Sequence, residues 1–293
     1  MKKLIAFLSM SFFAAAMLPV AAGAQSSNGS LGLKAYGGPS CIGGGDFNSG
    51  QKGWADFYGI IFGLLTYSSA GEIKPVDLGL NFGGEAIYRF SPALGIGLGF
   101  GLIQASKTSE MTFTPAQAGL DVLSYEAKTQ LNAAPFTLSA YYFPPLKGKM
   151  SFFIQAGLGP CLAWGYASQR MSDEDGGWTL NEIKAHGGGV GFHGGIGLEY
   201  ELGRRLAFFA EVRGRLASFA NFKGEADISD NTGWSESVSG LLWNERVDLG
   251  SLGSVETIEV SDSEPTGSGV SDAWRTRINF SGVSFVLGVV FRL

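Results

Sequence analysis

Few residues in this chain are suited to moving protons. It has two histidines, His186 and His193, so any mechanism that uses imidazole at neutral pH depends on one of them. His193 begins the run His193-Gly-Gly-Ile-Gly-Leu-Glu199. A lipid-hydrolysing site at a membrane surface would need a lipid-facing histidine with a serine two residues on, but Gly195 stands in that place. His186 has no evident partner. The charged candidates are more numerous: Glu85, Glu199, Glu201 and Glu211 on one side, Arg89, His193, Arg213, Arg215 and Arg292 on the other, with Lys34 able to join them. Gathered in one confined space, these near-balanced charges would pair with each other rather than form a reacting centre. His193 would then hydrogen-bond beside Glu199 or Glu211. The glycine runs at 43–45 and 187–189 read as strand and lack the helix that a phosphate cradle needs. No metal-ligand spacing and no nucleotide fingerprint occurs, so neither metal nor cofactor is expected.

A two-residue period decides which elements would bring these groups together. It marks strands at about 31–44, 76–90, 94–106, 127–143, 151–167, 187–202, 206–219 and 275–293. In the second strand Val76, Leu78, Leu80, Phe82, Ala86, Tyr88 and Phe90 share one face, and Asp77, Asn81, Glu85 and Arg89 the other. The fifth places Phe152, Ile154, Leu158, Leu162, Trp164 and Tyr166 opposite Gln155, Gly157, Gly159 and Cys161. The sixth places Val190, Phe192, Ile196, Leu198, Tyr200 and Leu202 opposite His193, Glu199 and Glu201. In the seventh, Leu206, Phe208, Val212 and Leu216 oppose Glu211, Arg213 and Arg215. An apolar face toward lipid and a charged face toward a lumen is the pattern of a membrane-spanning barrel strand. Pro39 and Pro135 predict bulges where the first and fourth strands lose phase.

Short connections at 91–93, 144–150 and 203–205 alternate with long ones near 45–75, 107–126, 168–186 and 220–274. That predicts an antiparallel up-and-down transmembrane β-barrel of eight strands, with short turns and both termini periplasmic. The apolar run Trp54–Ser68 could instead supply further strands, making ten the alternative; as part of the first loop it would form a helix, a strand extension or a lid. Composition fits a narrow barrel: 45 Gly and 22 Phe in 293 residues, with 16 % charged. The N-terminus has Lys2 and Lys3, an apolar stretch from Leu4 to Val20 and Ala22-Gly-Ala24, so residues 1–24 read as a cleaved signal peptide and 25–293 as one barrel domain. Beyond residue 24 no apolar run reaches eighteen residues, which argues against membrane helices. Cys41 and Cys161 fall on opposite walls, too far apart for a disulfide.

The connection at 220–274 carries eleven acidic residues against Lys223 and Arg246. Its alternating stretches at 241–249 and 254–260 predict a hairpin above the membrane, which Trp234, Trp243 and Trp274 would anchor or offer to a partner. No EF-hand spacing is present.

With these features the chain resembles the small outer-membrane β-barrels typified by OmpA-like and OmpX-like proteins, particularly the Gly-rich and Phe-rich barrels of Bacteroidetes. The likeness runs from about Gly29 to Leu293 and rests on the signal segment, the strand alternation and the ending Phe291-Arg-Leu293. It implies the outer membrane of a Gram-negative cell envelope, contact with outer-membrane lipid and lipopolysaccharide, and delivery by periplasmic chaperones to the barrel-assembly machinery. Phe285, Leu287, Phe291 and Leu293 would be the apolar positions of the assembly signal. The residues support a non-enzymatic structural, adhesive or recognition role, with an extracellular partner for 220–274 and no nucleic acid. A narrow pore is the second reading and a lipid-modifying enzyme the third.

Overall fold

The computed structural model describes residues 30–145, 148–267 and 269–293. The expected signal segment 1–24 lies outside these residues, as do Leu146 and Lys147 of one short turn. The strands are β1 (Ser30–Cys41), β2 (Gly44–Gly45), β3 (Tyr67–Gly71), β4 (Leu78–Arg89), β5 (Leu94–Pro115), β6 (Leu123–Tyr142), β7 (Met150–Ser172), β8 (Trp178–Glu201), β9 (Leu206–Leu216), β10 (Ser218–Phe219), β11 (Lys223–Asp230), β12 (Ser235–Asp248), β13 (Ser254–Ser261), β14 (Val270–Arg275), β15 (Ile278–Asn279) and β16 (Gly282–Arg292). Eight of them close a ring in the order β1, β4, β5, β6, β7, β8, β9, β16 and back to β1, each pair antiparallel. A closed ring has no unpaired strand edge, which is the condition for a sheet to cross lipid.

The wall reverses its polarity partway along the longer strands. Near the short turns, Leu94, Ile96, Leu98, Leu138, Ile154, Leu158, Ile196 and Leu198 are exposed while Ser139, Gln155 and Glu199 are buried inside. Toward the long connections the outward side chains become polar, as at Gln104, Thr108, Glu110 and Arg170, and the buried ones become apolar, as at Ile103, Phe113, Leu131, Ala163 and Ile183. The first stretch is built for lipid outside and charge within. The second is a water-facing barrel with an apolar core. The connections expected at 107–126 and 168–186 are therefore mostly strand: β5 and β6 run to Pro115 and from Leu123, β7 and β8 to Ser172 and from Trp178. Reading alternation by its apolar face alone ended these strands at the reversal.

Pro39 and Pro135 do not make bulges. Pairing lapses between Gly37↔Leu287 and Ser40↔Ser284, and between Pro135↔Cys161 and Leu138↔Leu158, but the register is the same on both sides of each lapse. Proline withholds a ladder donor without inserting a residue.

The run Trp54–Ser68 adds no ring strand. Most of it belongs to helix α1 (Asp46–Leu64), which begins directly after Gly43-Gly-Gly45, so a helix does follow that glycine run, contrary to the sequence reading. Asp46, in the first helical turn, accepts bonds from Trp274 Nε1 at 3.1 Å and from the Arg277 amide at 3.0 Å, leaving a carboxylate where a phosphate cradle would need free donors. Asn48 exchanges two bonds with the backbone of Val76, at 3.0 and 3.1 Å. This tie precedes β4 and explains a second correction: Val76 is buried with Phe47 in the apolar core rather than facing lipid, and Asp77 is exposed rather than luminal.

Residues 220–274 fold as more sheet. β8 exchanges its partner β9 for β11 above His186, and β11, β12 and β13 follow in turn, with β14 also on β12. α1 lies against β13, where Trp54 Nε1 donates to Ile258 O at 3.0 Å and Gly53 meets the carbonyl of Glu256 so closely that a side chain has no room. Phe47, Phe219, Phe222, Leu242, Ile258 and Phe280 complete a core that closes this end of the ring. Gly53→Val should displace α1 while the ring stays folded. Overpacking costs about 1–3 kcal/mol, so tryptic cleavage after exposed Lys52 should quicken by roughly tenfold or more, with the folded barrel's gel mobility unchanged.

Candidate functional site

The lumen holds the charged residues in tiers. Nearest the short turns, Glu199 accepts from Arg89 and Arg292, both at 2.9 Å, and Arg292 also pairs with Glu201. Arg89 stacks 3.6 Å from the ring centre of Phe143. The middle tier centres on Glu211, 1 % exposed, which takes Lys34 Nζ at 2.6 Å and Arg213 at 2.7 and 3.2 Å, together with a bond from Gln155. Arg213 also donates to Tyr36 Oη at 3.0 Å, and Tyr141 donates to Glu85 at 2.5 Å. Lys34 sits 4.6 and 4.4 Å from the centres of Phe153 and Phe209, so its ammonium is bounded by ring faces as well as by its carboxylate. Above this, Arg215 bonds Phe280 O at 2.7 Å and the hydroxyls of Ser40 and Ser284.

The local sequence explains this placement. Glu211, Arg213 and Arg215 fall at every second residue of β9, so all three enter the lumen, and Lys34 is directly across from Glu85 on β4. Inward glycines leave room for long neighbours. A side chain at Gly288 would come within 2.6 Å of Phe209, and one at Gly97 would collide with Glu85. Gly157 does the same for His193, letting it reach across β7 to Ser139 Oγ at 3.2 Å. Ser139 thus partners the histidine in place of Glu199 or Glu211. A residue on β6 was invisible as a partner because the contact depends on strand order rather than on spacing. The His193–Ser139 pair has two parts of a nucleophile–base arrangement, but Ser139 is 2 % exposed inside a filled lumen. His186 points outward and is exposed.

Elsewhere, Cys41 and Cys161 are both free thiols. Among the described residues no cluster of three metal-ligating side chains occurs. Phe285, Leu287, Phe291 and Leu293 lie along β16 and its end with their side chains exposed. Of the tryptophans, Trp243 is buried with Arg275 stacked on it at 3.6 Å, whereas Trp234 is half exposed at the β11–β12 turn.

The outer sheet forms a second charged surface. Glu225, Glu236, Asp248, Asp262, Glu264 and Asp272 are exposed. Lys184 binds Asp227 at 2.7 Å and Arg246 binds Glu256 at 2.7 Å. The Lys184 hydrogen bond, with a second from Ser237, holds the Asp227 carboxyl below its usual range. Glu259 is shifted the other way, raised by burial and then by the charge of Glu245.

Against known proteins, residues 10–239 match the family model "Outer membrane protein beta-barrel domain". No curated protein matches by sequence. Among solved structures, the chain is similar to a major outer membrane protein from Thermus thermophilus, at 12 % identity and a TM-score of 0.44, covering 90 % of this chain and 99 % of that one. It is similar to the outer membrane protein OprG from Pseudomonas aeruginosa, at 14 % identity and 0.37, covering 91 % and 97 %. It is also similar to the outer membrane protease OmpT from Escherichia coli, at 11 % identity and 0.32, covering 90 % and 95 %.

Two outcomes follow from the geometry. Glu211→Gln strands Lys34 and Arg213 without their shared carboxylate, and removing one partner of a buried pair costs about 3–5 kcal/mol. The urea midpoint of the variant in lipid vesicles should fall accordingly, and an unchanged midpoint contradicts this. Glu259 has its folded pKa raised above its unfolded value, so its contribution to the outer sheet is complete below the ordinary carboxylate value and is lost as pH rises through the raised one. Amide exchange in β12 and β13, corrected for intrinsic rate, should be slower at pH 4 than at pH 7, and Glu259→Gln should remove the difference.

Proposed function

The chain belongs to the outer-membrane protein β-barrel domain family, and from that premise we propose that it is a non-enzymatic barrel of the bacterial outer membrane with a structural and surface-interaction role. The observation that carries this reading is the filled lumen: ion pairs occupy its middle and an apolar core its far end. Narrow pores need a continuous wet path, and hydrolases need access to their nucleophile. Neither requirement fits side chains packed this way.

In this reading the short turns and both termini lie in the periplasm, and α1 with β11–β14 forms a platform outside the cell. Its exposed acids and Trp234 suit a cationic partner surface. The outward face of β16, with Phe285, Leu287, Phe291 and Leu293, serves as the signal read by the barrel-assembly machinery after transit with periplasmic chaperones, and the exposed apolar band meets lipid and lipopolysaccharide. Planar-bilayer recordings test the central point. Refolded protein with proven insertion should leave the bilayer electrically silent. Steady, salt-dependent single-channel steps that change with Glu199→Gln or Arg213→Gln overturn the reading in favour of a pore.

A further inference from the structure

The tiers of the lumen differ in charge. In the tier nearest the short turns, Arg89 and Arg292 meet Glu199 and Glu201. Higher up, three cations, Lys34, Arg213 and Arg215, face two carboxylates, Glu85 and Glu211, with the His193 imidazole counted as neutral. Glu211 is shared by Lys34 and Arg213. Among the described residues no carboxylate lies within salt-bridge distance of Arg215; its bonds go to Phe280 O, Cys41 O, Ser40 and Ser284, all uncharged. Arg215 is 8 % exposed, so water screens it little. A guanidinium in such a place, ringed by a lipid-facing wall, is costly; two backbone carbonyls and two hydroxyls satisfy its donors but leave its charge unneutralised.

A cavity adjoins it, bounded among others by Arg213, Arg215, Tyr36, Asn81, Thr137 and His193. Its volume of about 30 Å³ is enough for one or two water-sized species. No acidic side chain lines it. The lining is mostly apolar, with a few donors among it: Tyr36 Oη accepts from Arg213 and so keeps its own proton to give, Asn81 has one amide hydrogen left beside the one it gives Ser284 Oγ at 3.2 Å, and Thr137 adds a hydroxyl. We propose that this cavity binds one small monovalent inorganic anion, of halide size, which supplies the counter-charge Arg215 lacks and locks β9 to β1 and β16.

The probes are sodium chloride and sodium bromide against sodium gluconate, whose anion is too large for the cavity, at equal ionic strength. A ligand held only by the folded state stabilises it by RT ln(1 + L/Kd), which grows with the free ligand concentration L. Heat-unfolding half-times of the purified barrel should therefore lengthen severalfold in chloride or bromide. Arg215→Gln should lose that dependence, while Arg204→Gln, on an exposed turn, should keep it. Equal halide dependence in wild type and Arg215→Gln, or none in wild type, overturns the proposal. Crystals of the native protein grown in bromide give a test that survives a variant failing to fold. An anomalous peak between Arg213 and Arg215 supports the site, and ordered water alone or an empty cavity refutes it. Silent bilayers neither require nor exclude this anion, so the conductance result and this one stand or fall separately.

Discussion

Glu211 is the group on which the lumen depends. Eight strands enclose just enough room for side chains, so each inward polar group must find its partner on another strand rather than in bulk water. Glu211 gathers bonds from β1 through Lys34, from its own strand through Arg213, and from β7 through Gln155. Arg213 extends the set to Tyr36, back on β1. The closure of the ring and the satisfaction of its charges are thereby one event, because the carboxylate is satisfied only when β1, β7 and β9 occupy their places around the barrel. A buried pair of this kind contributes little net stability compared with apolar packing. Its effect lies in making alternative registers costly, since a slip of one residue would send Glu211 and Arg213 into lipid.

Glycine works alongside this constraint. The long side chains that fill the lumen need vacant ground opposite them, and Gly97, Gly157 and Gly288 provide it at Glu85, His193 and Phe209. The high glycine content is thus the complement of the aromatic and charged content: where one strand sends in a large group, a neighbour withholds its side chain.

Much of this was legible from residue order. In β4, β7, β8 and β9 the period of two separates lipid-facing from luminal residues directly, because each face in the lipid zone has its own polarity. Legibility ended where that polarity reverses, since the same alternation with its faces exchanged reads as polar loop when only the apolar face is followed. Val76 and Asp77 depart from the alternation that continues backward past Leu78, because Asn48 fixes the backbone there. Helix α1 was open to several readings: its stretch is apolar on many sides, and only packing against β13 selects the helical form. The Ser139–His193 contact has no signature in spacing, as it exists through the order of β6, β7 and β8.

The reversal of polarity also explains why the acid-rich segment is a sheet rather than a free loop. A strand leaving lipid has its outward face in water, and it can continue only if its inward face gains an apolar partner. β5 to β8 have that partner in α1, β10 and the strands after β11, which bring Phe47, Phe219, Phe222, Leu242 and Ile258 over the ring's mouth. The acidic residues then fall mainly on the faces left to water, where their mutual repulsion is screened and their hydration keeps the platform from pairing edge to edge with another copy. The charge of 220–274 and the burial of its apolar residues are two faces of one sheet, whose inner side closes the barrel and whose outer side meets the surroundings.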